Sequence, residues 1–166
     1  MWVYIVLAVI WIGLLIPVIR ERRGWIACAH GGTALFFTSL FLSLGLDQTG
    51  DIADILWLKI IGFILLIPAI ILFIAAMFAV ARGSLIKTGI SGIVRHPMYL
   101  GTAIAAFALM LVFQSILSIV LGIIAIALLW MAATLEDAYN IERFGDSYRT
   151  YMKGVPRWNV FKGLQK

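Results

Sequence analysis

The stretch YLGTAIAAFALMLVFQSILSIVLGIIAIALLWMAATL, residues 99–135, contains two apolar runs that only the polar pair Gln114 and Ser115 separates. The first run, 99–113, would span roughly 22 Å as an α-helix at about 1.5 Å per residue. The second run, 116–135, has about the 20 residues that a transmembrane helix needs. Two apolar helices joined by so short a break predict a tight transmembrane hairpin.

Three further apolar runs precede this hairpin, at residues 2–19, 25–46 and 55–81. Hydrophobic residues make up 63% of the chain and charged residues only 13%, whereas a soluble domain carries about 25% charged residues. The sequence therefore predicts an all-α, polytopic membrane protein with five transmembrane helices. We expect a single domain over residues 1–166, in which residues 1–81 form a three-helix N-terminal part.

Basic residues occupy alternate connections between the apolar runs. Residues 20–23 and 82–96 each contain three Arg or Lys, and six more follow Glu136, whereas 47–54 contains three Asp and no base. The positive-inside rule then places the N-terminus outside and the C-terminus in the cytoplasm. Because the charges at 20–23 follow the first run, that run is predicted to be a retained helix rather than a cleavable signal peptide. The net charge of +5 thus indicates topology and not a nucleic-acid partner.

The segment SGIVRHPMYLGT, residues 91–102, places polar groups at the start of the fourth apolar run. Pro97 is favoured at a first helical position, and the free N–H groups that follow it lie at the positive end of the helix dipole. Arg95 adds a cation whose fork matches a carboxylate, and His96 and Tyr99 add polar rings. This pattern predicts either a pocket for a carboxylate or phosphate, or an ordinary interfacial boundary.

A second polar segment, residues 136–159, follows the last apolar run and is predicted to be a cytoplasmic helical extension. If the helix continues, its period places Glu136 and Asn140 on one face and Asp137 and Tyr148 on another. Acids at the edge of a membrane helix favour a functional role, although an amphipathic interfacial helix explains the aromatic residues equally well.

A metal site is not predicted. The single cysteine, Cys28, and the two histidines, His30 and His96, do not form a ligand cluster. The glycines that follow His30 are as consistent with close helix packing as with a ligand contact.

Two segments in the order found here, TGISGIVRHPMYLG (88–101) and then ED…N…FGDSYRTYMKGVPRW, resemble a known family. They are similar to the membrane methyltransferases that include isoprenylcysteine carboxyl methyltransferase and the phospholipid N-methyltransferases. The resemblance covers roughly residues 88–158. The chain departs from the family pattern at Asp137, which stands where the second glutamate of a Glu-Glu pair is expected.

The resemblance implies binding of S-adenosylmethionine (SAM) by residues 82–166 and methyl transfer to a lipidic acceptor at the cytoplasmic membrane boundary. It implies catalytic roles for Glu136 and Arg95. The residues expected to contact the cofactor are Arg95, His96, Pro97, Tyr99, Leu100, Glu136, Asn140, Tyr148, Tyr151 and Arg157.

The sequence does not decide between a carboxylate and an amine as the methyl acceptor. A carboxylate needs no base, whereas an amine must lose a proton, which Glu136 or a tyrosine can accept. Two other functions are compatible with the sequence. A membrane reductase of the sterol-reductase type has a similar arginine–histidine–proline stretch but binds NADPH. A non-catalytic helical module would bind a lipid or a protein partner and no nucleotide-type ligand.

Overall fold

The computed structural model describes residues 2–21, 23–45, 52–80 and 89–165, and these residues form α-helices and no β-strand. The all-helical class predicted from the sequence is therefore confirmed. In chain order the helices are α1 (Trp2–Glu21), α2 (Gly24–Gly45), α3 (Leu56–Val80), α4 (Ile90–Ile93), α5 (Pro97–Phe113), α6 (Ile116–Phe144), α7 (Asp146–Gly154) and α8 (Val160–Leu164).

Four helices in the described ranges, α1, α2, α3 and α6, are long and apolar enough to cross a membrane. Helix α5 is also apolar but has only 17 residues. Large apolar side chains such as Ile64, Ile67 and Phe78 of α3 lie on the outer surface. Such a surface is stable in lipid, where hydrocarbon tails rather than water surround the helices. The chain is therefore a multi-pass membrane protein.

Helix α5 lies at the centre, packed on α3 and on α6, while α2 packs on α6 and α1 on α2. Glycines allow these helices to approach closely. A Cβ atom at Gly62 would lie 2.8 Å from the carbonyl oxygen of Ala108, and one at Gly101 would lie 2.9 Å from that of Ala69. Gly32 in α2 makes the same kind of approach to Leu129 at 2.9 Å. These are the small-residue contacts by which membrane helices associate.

Gln114 closes the connection between α5 and α6 in a left-handed conformation, with φ of 49°. Its side-chain oxygen accepts the N–H of Ile55 and its amide donates to the Ile55 carbonyl, both at 3.0 Å. Ser115 and Ser118 form a capping box that begins α6. The segment before α3 is thereby held at this end of the bundle, and Pro97 begins α5 at the opposite end.

Helix α6 continues beyond the apolar run 116–135 and ends at Phe144, followed by Gly145 with φ of 55°. Helix α7 follows Gly145, and its own residues Tyr148 and Tyr151 are buried. The Tyr151 hydroxyl donates to the Ser91 carbonyl at 2.5 Å. The C-terminal segment therefore lies against the residues that precede α5.

Candidate functional site

The carboxylate of Asp137 is the centre of a buried polar cluster where α6 passes the start of α5. The Asp137 side chain is 5% exposed and accepts hydrogen bonds from four side chains. Tyr148 donates its hydroxyl to Oδ1 at 2.6 Å, and the ring Nε2 of His96 donates to the same oxygen at 2.9 Å. A carboxylate has about four lone-pair sites, so these contacts and the two arginines described next satisfy it fully.

Two arginines contact the other carboxylate oxygen, Oδ2 of Asp137. Arg157 binds it through Nε at 2.9 Å and Nη2 at 2.8 Å, and its Nη1 donates to the Thr134 hydroxyl at 3.0 Å. Arg95 Nη2 lies 3.2 Å from Oδ2, and its Nη1 donates to the Met152 carbonyl at 3.2 Å. Asp137 therefore ties the segment before α5 to the segment after α7 through one buried anion.

His96 contacts two adjacent acids of α6, Glu136 and Asp137. Its Nε2 faces Asp137, and its Nδ1 lies 3.4 Å from Oε2 of Glu136. Burial lowers the pKa of His96, but the hydrogen bonds to the two carboxylates and their charges outweigh burial and raise it above the usual range. The ring of Tyr99 stacks on His96, with centroids 5.6 Å apart and planes 7° from parallel. The two carboxylates therefore favour the protonated form of His96, which contacts Glu136.

Tyr148 stays a neutral donor to Asp137. Burial raises the pKa of its hydroxyl, and the hydrogen bond to Asp137 raises it further. Asn140 lies within hydrogen-bonding reach of the same hydroxyl. Burial also raises the pKa of Tyr151, to about 12, against the opposing charge of Arg95.

A cavity of about 190 Å³ opens beside this cluster. Glu136, whose side chain is 25% exposed, faces it together with the residues at the start of α5. Helix α2 contributes Trp25 and α3 contributes Ala76. The lining residues are Trp25, Ala76, Ser91, Arg95, His96, Pro97, Met98, Tyr99 and Glu136.

Five of the residues expected from the sequence to hold the cofactor line this cavity: Arg95, His96, Pro97, Tyr99 and Glu136. The others lie outside it. Leu100 packs with Leu72 and Val94, and Tyr151 packs with Tyr148 and Val155. Tyr148 and Arg157 support the wall of the cavity indirectly, through their contacts with Asp137.

The sequence predicts neither the role of Asp137 nor the place of Trp25, Ala76, Ser91 and Met98 at the cavity. Asp137 was recognised only as a shortened acid, whereas it holds the whole cluster together. Trp25 lies in an N-terminal half that the motifs do not cover. The helical period places Asp137 and Tyr148 on the same predicted face, and this pattern could have indicated their contact.

A second cavity of about 220 Å³ lies deeper along the same helices. Its walls come from α2 and α3, and α5 contributes Gly101, Thr102 and Ala105. Phe36, Phe37 and Phe73 make the lining apolar, and the hydroxyls of Thr33 and Thr102 donate to the backbone of their own helices.

The sequence model of the phospholipid methyltransferase family matches residues 56–147, more than half of the chain. The chain belongs to the phospholipid methyltransferase family. The family expected from the sequence motifs is thus confirmed. The matched segment contains Arg95, His96, Glu136 and Asp137 and leaves Trp25 outside.

Among curated proteins, a protein-S-isoprenylcysteine O-methyltransferase of Schizosaccharomyces pombe is 37% identical to this chain over 76 residues. The aligned part is 43% of this chain and 31% of that protein, so the similarity extends over less than a third of the relative. No solved structure matches the chain.

Proposed function

We propose that this protein is a SAM-dependent methyltransferase that transfers a methyl group to a lipidic or prenylated small acceptor at the cytoplasmic boundary of the membrane. The observation that carries the proposal is the cavity in which the start of α5 meets Glu136, fixed by the buried Asp137 cluster. Family membership supports the reaction class, since the matched segment supplies most of this cavity.

The residues of the cavity suit the chemistry of SAM, which supplies an activated methyl group on a sulfonium sulfur. The methionine end of SAM is zwitterionic and its ribose carries hydroxyls. Arg95 and the start of α5 would bind the carboxylate, because a cation and free helix N–H groups both attract anions. Glu136 would accept from an ammonium or a hydroxyl, and Tyr99 offers an aromatic surface. Residues 82–166 would thus form the cofactor-binding part of one domain.

The deeper apolar cavity supports a lipidic acceptor. Its walls lie on the same three helices, about one to two turns below the polar cavity. An acyl or prenyl chain lodged there would place its polar end near Glu136. Methyl transfer is an in-line displacement, so the main tasks of these residues are to align the reactants and to exclude water. For an amine acceptor, Glu136 would take the proton; a carboxylate acceptor would need none.

For the topology we propose five spans, with α5 as a short fifth crossing and the last two forming the hairpin. The N-terminus would then lie outside, and the C-terminus and the cavity in the cytoplasm. The charge of the connections supports this orientation, since six basic residues follow Glu136.

Binding of S-adenosylhomocysteine, the demethylated product, tests the proposed function. A ligand that binds only the folded state raises the melting temperature, so the purified protein should be stabilised by this product and by SAM. Transfer of labelled methyl from SAM into fractionated host lipids should then identify the acceptor. If neither binding nor transfer occurs, the proposal is wrong; stabilisation by NADPH instead would indicate a reductase.

The variant Glu136→Gln tests the site itself. It keeps the shape of the side chain but removes the charge that faces the cavity, so affinity for S-adenosylhomocysteine should fall by about 10- to 100-fold. Glu142→Gln is the matched control, because Glu142 is an exposed acid of the same helix. Equal affinities in the two variants would exclude Glu136 from the binding site.

A further inference from the structure

Trp25, at the start of α2, lines the polar cavity, and its indole N–H has no hydrogen-bond partner among the described residues. The Nε1 atom of this indole is buried. Buried donors are nearly always paired in native proteins, so an unpaired one at a cavity wall needs a specific explanation. Trp25 also lies outside the segment 56–147 that defines the family.

The Trp25 ring is held in place by an aromatic neighbour that does not line the cavity. It stacks on Tyr139, with ring centroids 6.1 Å apart and planes 29° from parallel. The guanidinium of Arg23 in turn lies 4.3 Å from the centroid of Tyr139. Stacking and the cation–π contact thus hold the indole ring in a fixed orientation at the wall of the cavity.

A second buried donor at the same cavity also lacks a partner. The Arg95 side chain is 8% exposed, and its two terminal nitrogens bind Asp137 and the Met152 carbonyl. Its Nε atom finds no acceptor among the residues that the structure describes. Two residues of one cavity therefore each carry an N–H donor without an acceptor in the described part of the chain. Both groups can donate a hydrogen bond but cannot accept one.

The charge of the cluster favours an anion. Arg95 and Arg157 balance the charges of the Asp137 and Glu136 carboxylates, and protonation of His96, which these carboxylates favour, adds one further positive charge. A ligand that accepts two N–H bonds and balances one positive charge is an oxyanion, such as a carboxylate or a phosphate.

We propose that Trp25 is a ligand-binding residue whose indole N–H, together with Arg95 Nε, donates to an oxyanion in this cavity. The inference rests on the proposed function for the identity of the ligand. The oxyanion belongs either to the methionine end of the cofactor or to the polar end of the acceptor. In both cases the N-terminal half of the chain takes part directly in binding.

The variant Trp25→Phe tests the proposal, because it keeps a ring against Tyr139 and removes only the N–H and part of the indole. Loss of a hydrogen bond to a charged acceptor should weaken binding about 10- to 100-fold. If the oxyanion is the cofactor carboxylate, affinity for S-adenosylhomocysteine falls, whereas affinity for its decarboxylated analogue stays equal in wild type and variant. If it belongs to the acceptor, cofactor affinity is unchanged and the KM for N-acetyl-S-farnesylcysteine or a phospholipid vesicle rises.

Trp158→Phe is the matched control, since Trp158 also has a buried Nε1 without a partner among the residues that the structure describes, but does not line the cavity. An equal loss in both variants would trace the effect to packing and overturn the proposal. So would unchanged affinities and KM values in Trp25→Phe, a result that leaves the proposed methyltransferase standing. A wild-type protein that binds no S-adenosylhomocysteine and transfers no methyl group would overturn both.

Discussion

Two adjacent acids of α6 occupy different surroundings. Asp137 is enclosed by two arginines, His96 and Tyr148, whereas Glu136 has one charged contact and faces the cavity. The shorter side chain suits the enclosed position, where a carboxylate is contacted from all sides. The longer one extends to the cavity. One acid therefore builds the site and the other is available for binding.

The variant Asp137→Asn should destabilise the fold strongly. Removing this charge leaves the buried cations Arg95 and His96 without their main partner, and breaking a buried ion pair on one side costs about 3–5 kcal/mol. The free energy of unfolding, measured in mixed micelles, checks the prediction. Asp54→Asn is the control: Asp54 pairs with Lys59, but its side chain is 84% exposed, so the cost should stay within about 1 kcal/mol. Similar losses in both variants would contradict the assigned role.

His96 should make stability depend on pH. The titratable and charged groups nearest His96 are Asp137 and Glu136 of α6, together with Arg95 and Tyr99. The two carboxylates raise the pKa of His96. The folded state therefore binds the proton more tightly than the unfolded chain, where the pKa is about 6.5. The stabilisation is complete below about pH 6.5 and is lost as the pH rises through the higher pKa of the folded state.

The difference in melting temperature between wild type and His96→Gln measures this contribution. We expect it to be constant in acid and to shrink as the pH rises above about 6.5. His30→Gln serves as the control, because the hydrogen bond of His30 in the described part of the chain is to the Ile26 carbonyl of its own helix, at 2.8 Å, and not to an acid. A difference that stays flat or grows with pH would show that His96 is not held as a cation.

At the scale of elements, α5 is the helix on which the site depends. Its start at Pro97 was predicted from the sequence and is confirmed. Its close contact with α3 requires Gly62, where a Cβ atom would lie 2.7 Å from Val112 Cγ2 and 2.8 Å from the Ala108 carbonyl oxygen. Because one of these atoms belongs to the backbone, a side chain at residue 62 would push the two helices apart.

Gly62→Ala should therefore destabilise the protein by about 1–3 kcal/mol, the usual cost of overpacking a tight contact. Gly13→Ala in α1 is the matched control, since nothing lies within 4 Å of its added Cβ. It should be neutral or slightly stabilising, because alanine favours a helix by up to about 1 kcal/mol over glycine. Unfolding of both variants under one set of conditions gives the comparison, and an equally stable Gly62→Ala would contradict the close approach.

For the molecule as a whole, hydropathy predicts the long helices well, because the bilayer imposes one length and one composition on each span. The apolar runs 2–19, 25–46 and 55–81 correspond to α1, α2 and α3 within two residues at each described end. Hydropathy does not predict that α6 continues to Phe144, because residues 136–144 are largely polar. Their partners lie on other segments of the chain, which a local pattern does not reveal. The connection at 82–88 lies outside the described residues.

The site could be predicted only in part. The motif residues at the start of α5 indicated the cavity, because helix-start chemistry is local. The role of Asp137 depends on how α6 is rotated and on where α7 turns back, and neither follows from local sequence. Leu100 shows the converse: its place in the motif suggested the cavity, whereas the packing of α5 directs it to Leu72 and Val94.

The proposed orientation follows from joining the charge pattern to the fold. Gln114 holds Ile55 at the end of α5 that is opposite Pro97, and 17 helical residues separate these ends by roughly 26 Å. Asp54, just before α3, therefore lies on one side and the basic C-terminal tail on the other. In a Cys28→Ser background, a membrane-impermeant thiol reagent should label Asp54→Cys in intact cells.

Under the same conditions Gln165→Cys should be labelled only after permeabilisation, because Gln165 follows α8 in the basic tail. Both positions are exposed, so accessibility within the protein does not limit either reaction. Labelling of Gln165→Cys but not Asp54→Cys in intact cells would invert the topology and place the cavity outside, away from cytoplasmic SAM. Labelling of both positions from outside would mean an even number of crossings between residues 54 and 165, so that α3, α5 and α6 do not all span the bilayer.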